Sequence, residues 1–171
     1  MNRAQISGIA NTISRAFGGQ DILDNDTPAQ ISEKLTRLQG LMKASGAGQE
    51  SVRALDELAN ANANPNQNPK AYAQLTSLLM TQTQRGIDQA NHANLYGQDS
   101  GNSYVNAPAD FERKNPSARY GTEAKAIENV MLNDPALFKQ MISGNMDPTR
   151  IDKLFETHGF RGMSRYFTGG R

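Results

Sequence analysis

Residues 134–159 read DPALFKQMISGNMDPTRIDKLFETHG. Two units stand in this stretch, Asp134-Pro135 to Gly144 and Asp147-Pro148 to Gly159, each opened by Asp-Pro and closed by glycine. Aspartate caps a helix because its carboxylate accepts from a first-turn amide that has no other partner. Proline tolerates the next position because the N–H it lacks would be unpaired there anyway. Glycine then adopts the left-handed backbone that ends a helix. Leu137, Phe138, Met141 and Ile142 line the first unit and Ile151, Leu154 and Phe155 the second, at helical spacing. The two units form a loose tandem repeat. Together with a helix capped at Thr122 and carrying Ile127, Val130 and Met131, they predict a compact three-helix cluster over residues 120–159.

The same punctuation recurs upstream. Thr27-Pro28-Ala29-Gln30 reads as a capping box, followed by a buried stripe of Ile31, Leu35, Leu38 and Met42. After Gly46-Ala47-Gly48 a shorter helix carries Val52, Leu55, Leu58 and Ala59, and the two predict an αα-hairpin. The Asn- and Pro-rich run from Asn60 to Asn68 favours turns. Asn68-Pro69 then opens a long helix to about Asn91, with Tyr72, Leu75, Leu79, Ile87 and Ala90 on one face and Thr83 and Gly86 between them. Residues 20–91 are read as this hairpin plus the long helix. Residues 1–19 are read as a separate basic amphipathic helix with Ile6, Ile9, Ile13 and Phe17 on one side.

Two segments lack a pattern. Residues 92–119 show neither helical nor strand periodicity and carry Gly97, Gly101, Pro108 and Pro116, which predicts an irregular arm that is disordered when free. Residues 160–171 interleave Arg161, Arg165 and Arg171 with Phe160, Tyr166 and Phe167 and predict an extended basic aromatic tail. The expected fold class is all-α: capped short helices and one long helix, with the arm and the tail.

Composition narrows the chemistry. The chain has 171 residues, 37% hydrophobic, with no cysteine, no tryptophan and a formal net charge of +1. Its mean hydropathy of −0.65 is low for a self-sufficient core. Roughly one residue in six is Asn or Gln, whose side chains hydrogen-bond without the charge of most soluble surfaces and suit contact with other copies. The charge balance gives no global pull toward nucleic acid or membrane. Absent cysteine removes disulfides, Cys-ligated zinc and thiol catalysis. No membrane-length apolar run and no signal-like h-region appear.

Glu50-Ser51 resembles the Glu-Ser pair around the catalytic acid of lytic transglycosylases, helical enzymes that cleave peptidoglycan. In that family a Gly-Leu-Met element follows the acid, whereas Gly40-Leu41-Met42 precedes it here. A first-turn glutamate favoured by the helix dipole is the plainer reading. Asp21, Asp24, Asn25 and Asp26 supply oxygen ligands, but an EF-hand loop counted from Asp24 would place Ala29 and Leu35 where glycine and glutamate are needed. His92 and His158 form no metal-ligand pair, and no catalytic residue, metal site or cofactor is expected.

Small structural proteins of tailed bacteriophages are what the whole chain resembles, through its lack of Cys and Trp, its Ala/Asn/Gln-rich capped helices, its unpatterned arm and its basic aromatic end. That resemblance implies a non-enzymatic virion component made in the host cytoplasm, working as one copy in an oligomeric ring or tube, portal- or tail-associated or ejected. The implied partners are copies of itself and other virion proteins. Ile6, Ile9, Ile13, Phe17, Arg161, Arg165, Tyr166 and Phe167 are the expected interface residues, and residues 1–19 are a candidate membrane or channel contact. A peptidoglycan hydrolase is the alternative from another class, and a nucleic-acid-binding module, through the arginine and aromatic tail, ranks third.

Overall fold

The structure is a computed structural model and describes residues 3–17, 19–23, 25–44, 49, 52–53, 55–56, 69–99, 101 and 103–168; the side chains of 3–7, 16, 17, 28 and 71 lie outside the description. Helices α1 (Arg3–Phe17), α2 (Pro28–Ala44), α3 (Pro69–Gln98), α4 (Ala107–Lys114), α5 (Ser117–Asn133), α6 (Pro135–Ile142) and α7 (Pro148–Glu156) follow in order, with 3₁₀ turns at Tyr104–Asn106 and Met163–Tyr166. The fold is all-α, and no strand occurs among the described residues.

The starts of α2, α6 and α7 follow the caps. The Thr27 amide donates to Gln30 Oε1 at 2.7 Å and the Gln30 amide to Thr27 Oγ1 at 3.3 Å, the reciprocal pair of a capping box. Asp134 accepts from the Leu137 amide at 3.0 Å and Asp147 from the Thr149 amide at 2.7 Å. Gly144 and Gly159 close their units with φ of 74° and 84°, in the left-handed region. The α2 stripe of Ile31, Leu35, Leu38 and Met42 is buried as its spacing predicts. Beyond α2, Leu55 is buried and Gln39 reaches Asp56 at 3.2 Å, tying the two arms of the expected hairpin. Residues 45–48, Glu50, Ser51, Leu58, Ala59 and the run from Asn60 to Asn68 lie outside the described residues.

Helix α3 is the axis of the molecule. It packs along α5 and also touches α4, α1 and both 3₁₀ turns. Contact on more than one side explains why Tyr72, Ala73, Thr76, Ser77, Leu79, Met80, Thr81, Thr83 and Gln84 are buried, a wider set than one amphipathic face. Small side chains let neighbouring backbones approach; Ser77 donates to the Gln74 carbonyl and Thr81 to the Ser77 carbonyl, each at 3.0 Å, whereas the buried Thr76 and Thr83 hydroxyls have no hydrogen-bond partner among the described residues.

Four expectations are corrected. First, residues 1–19 are no separate unit. Helix α1 packs on α2, α3 and α6, and Gly8 lies so near Ile142 that a Cβ there would fall 2.2 Å from its Cδ1. Second, α3 continues past Asn91 to Gln98. Third, residues 92–119 are not an irregular arm. Most of them fold into the end of α3, a 3₁₀ turn, α4 and the start of α5, with Ala107, Asp110 and Phe111 buried. Thr122 caps nothing; α5 begins at Ser117 behind Pro116, and the Thr122 hydroxyl donates back to the Ala118 carbonyl inside the helix. Fourth, residues 160–168 are no extended tail. They turn back onto the bundle and bury Met163, Tyr166 and Phe167.

Direction follows from the cross-pairs. Helix α4 runs antiparallel to α3, since Asp110 meets His92 while Glu112 meets Arg85. Helix α5 then runs toward the N-terminal half of α3. Tyr120 reaches Asp88, and Tyr166, bonded to Glu123 one turn on, shares a crevice with Met80, Thr83 and Gln84.

Candidate functional site

Three features gather the polar chemistry and the open apolar surface of the chain. The first is an ionic joint where α5, α3 and the C-terminal turn meet. Glu123 is buried on α5, and an unpaired carboxylate there would be costly. Arg119, one turn earlier, donates from Nε to Glu123 Oε1 at 2.9 Å. Arg165 donates from Nη2 to Glu123 Oε2 at 2.6 Å, and the Tyr166 hydroxyl donates to the same oxygen. Asp88 on α3 accepts from Tyr120 and from Gln84, both at 2.8 Å, and its Oδ2 lies 3.9 Å from Arg165 Nε. The Arg165 guanidinium also sits 4.6 Å from the centre of the Tyr166 ring.

The turn that presents Arg165 is itself anchored. Asp152 of α7 accepts from the Ser164 amide at 2.7 Å and from its hydroxyl at 3.0 Å. Gly162, with φ of 66°, allows the reversal before it. Burial pushes the Tyr166 hydroxyl well above its ordinary pKa, and the hydrogen bond to Glu123 adds to the shift. Tyr120 is raised in the same way by burial and then by Asp88. Both phenols therefore stay protonated and serve as donors. Apart from Arg165 Nε, which has no hydrogen-bond partner, donors and acceptors of the joint face one another, so its chemistry is to hold the C-terminal segment.

The second feature is a carboxylate on α4. Asp110 is buried; its Oδ1 accepts from the Arg113 guanidinium, and its Oδ2 lies 2.8 Å from Lys114 Nζ and 3.0 Å from His92 Nε2. The Lys114 ammonium holds the Asp110 carboxyl below its usual range, against the opposing effect of burial. The His92 ring lies 5.7 Å from the centres of both Tyr96 and Phe111, so the residue beside Asp110 also belongs to the aromatic packing of α4 on α3.

The third feature is open. A groove of about 480 Å³ runs between the C-terminal half of α5, α6 and α7, walled by Val130, Leu137, Met141, Leu154, Phe155 and Phe160, with Asn129, Asn133, Asp134 and His158 at its polar rim. Leu154, expected to point inward, is 37% exposed on its edge. At the far end of α3, Leu95, Tyr104 and Val105 are exposed as well.

The expected interface residues divide. Ile9 and Ile13 are in the core, so the reading of residues 1–19 as a membrane or channel contact loses two members of its apolar face. Ile6 and Phe17 have side chains outside the description. Tyr166 and Phe167 are buried within the chain, Phe167 stacked on Phe155 at 6.2 Å and edge-on to Phe138 at 6.1 Å. The carboxylates that Arg165 meets, Glu123 and Asp88, belong to the chain itself. Arg161 alone of the C-terminal four is exposed. The tail as a nucleic-acid contact is weakened for the same reason, since Arg165 is already neutralised; Arg171 lies outside the described residues.

No protein-family model, curated protein or solved structure matches the chain.

Among the described residues no helix is long and apolar enough to cross a membrane, and no three His, Asp or Glu side chains are grouped to hold a metal ion. Asp26, one of the oxygen-bearing residues of the loop before α2, accepts from Lys34 Nζ at 2.6 Å and from the Leu23 amide at 2.7 Å. Sequence reasoning missed Glu123, Asp88 and Asp110 as organising residues. Spacing of three or four carried a local signal for Arg119 with Glu123, for Gln84 with Asp88 and for Arg113 and Lys114 with Asp110, but none for the contacts made by Arg165, Tyr166, Tyr120 and His92.

Proposed function

We propose that this chain is a structural, assembling subunit of a tailed-phage particle, one copy among many in a ring or tube, made in the host cytoplasm and carried in the virion with other virion proteins. The observation that carries the reading is the apolar groove left open between α5, α6 and α7, walled by Val130, Leu137, Leu154 and Phe160. Contiguous apolar surface in water is unfavourable and marks contact sites. The ionisable side chains of the joint and of α4 support the same reading, because they are engaged in holding the fold together. Placement in a virion rests on the resemblance in composition and in Ala/Asn/Gln-rich capped helices.

A native mass measurement on the purified chain tests this reading. A series of species larger than a dimer, growing with concentration, is the expected result. A strictly monomeric chain at all accessible concentrations refutes the assembling role, and clearing of peptidoglycan in a zymogram by the same preparation would assign it to the hydrolases.

A further inference from the structure

We propose that helix α4 is an acid-released clasp, which leaves α3 when Asp110 and Glu112 are protonated while the rest of the bundle stays folded. Its release uncovers Phe111 and the His92 side of α3.

Charge does most of the holding. Helix α4 has 8 residues, too few to stand alone in water. Ala107, Asp110 and Phe111 are its buried residues, and Phe111 is the one large apolar group among them. A single ring does not offset the ordering of the whole helix. Two carboxylates supply the other attachments. Asp110 lies 3.0 Å from His92 Nε2 on α3, and Glu112 accepts from the Arg85 guanidinium of the same helix. Glu112 also accepts from the Ser117 amide at 2.9 Å, where α5 begins.

Cations surround these two acids. Arg85 and His92 face them from α3, and Arg113 and Lys114 from α4 itself. Asp88, the α3 carboxylate nearest Arg85 in sequence, is taken by Tyr120 and Gln84, and Arg119 of α5 is turned to Glu123 and Asn115. Tyr96 of α3 and Tyr104 of the 3₁₀ turn are phenols, which carry no charge in acid. Lowering the pH therefore removes both anions, and an imidazole gains a proton over the same range. Attraction between α3 and α4 becomes repulsion. Arg113 and Lys114 are exposed and screened, whereas the side chains of Arg85 and His92 are 29% and 18% exposed.

What each segment buries sets the order of loss. The C-terminal turn also depends on a carboxylate, Glu123, but it buries Met163, Tyr166 and Phe167, and α2 buries Ile31, Leu35, Leu38 and Met42. Neutral carboxyls loosen these segments without freeing them, because their apolar contacts remain. The Lys114 ammonium holds Asp110 below its usual range, and the Ser117 amide does the same for Glu112. Both contributions are complete above the unfolded carboxylate value and are lost below about pH 4, where the clasp opens.

Amide hydrogen exchange on the full chain, corrected for the intrinsic rate at each pH, tests the clasp. From about pH 6 to about pH 3, protection of the amides from Phe111 to Asn115 should fall by about tenfold or more, and neutralisation should restore it. The amides of Ile127, Met141 and Ile151, in α5, α6 and α7, should keep their protection over the same range. Asp110→Asn combined with Glu112→Gln should release α4 at neutral pH and abolish the pH dependence of its exchange. An α4 that stays protected in acid overturns the proposal, as does one that stays protected in the double variant. Loss of protection in α4 and in α5 to α7 together, in the wild type or at neutral pH in the double variant, also overturns it, because α4 would then have no opening of its own.

Discussion

Replacing Arg165 by leucine removes one side of the joint and leaves Glu123 behind. The Glu123 side chain is only 4% exposed, so water cannot take over the role of the lost guanidinium. Breaking one side of a fully buried ion pair costs about 3–5 kcal/mol. Two features of this site reduce that figure. The Arg165 side chain is 22% exposed, and Glu123 keeps Arg119 on Oε1 and the Tyr166 hydroxyl on Oε2. The expected loss is therefore about 2–3 kcal/mol, which in a chain of this size lowers the thermal midpoint by roughly 5–10 °C. Urea unfolding followed by circular dichroism at 222 nm measures it. The double variant Glu123→Leu with Arg165→Leu should recover much of the loss, because no charge is then left buried without a partner. An Arg165→Leu chain with the wild-type midpoint would refute the joint as a source of stability, as would a double variant whose loss equals the sum of the two single ones.

Phe167→Ala should cost about 3–5 kcal/mol, since the ring is fully buried between Phe155 and Phe138, and an unchanged urea midpoint would place the segment outside the core. Asp147→Ala should cost about 1 kcal/mol through loss of the bond to the Thr149 amide, read as a lower midpoint with the same slope. At alkaline pH the sign follows from the raised phenols. Tyr120 and Tyr166 have folded pKa values above the unfolded value of about 10. Their contribution is complete below that value and is lost as the pH rises beyond it. Stability should therefore fall steeply above about pH 10, with tyrosine ionisation followed near 295 nm coinciding with unfolding. Phenols that titrate freely in the still-folded chain would contradict their burial. At the acid end Asp110 and Glu112 have lowered folded values, so stability present above the unfolded carboxylate value of about 4 should be lost as the pH falls through them. An Asp110→Asn variant with the same acid unfolding profile would remove Asp110 from that account.

Legibility along the chain tracks the range of the interactions. The capping box at Thr27 and the Asp-Pro caps at 134 and 147 were readable because donor and acceptor lie two or three residues apart. Helix α4 was not readable. Among its eight residues Phe111 is the one large apolar side chain, too little for a periodic signal. What orders it is the meeting of Asp110 with His92 and of Glu112 with Arg85, contacts between segments that sequence pattern does not relate. The C-terminal segment was misread for a similar reason. Its arginines do need carboxylates and its rings do need cover, but nothing in the order of residues says that the chain's own α5 and α3 supply the carboxylates.

Sequence by itself determined the helical class, most helix starts, the glycine stops and the buried stripe of α2, because each depends on hydrogen bonds or side-chain spacing within a few residues. Tertiary structure alone decided that Arg165 meets Glu123 across 42 positions, that Ile9 and Ile13 face inward, and that a groove stays open beside Leu154. Pairing of charges and the covering of apolar faces depend on which surfaces the packed helices bring together, and distance along the chain carries no record of that.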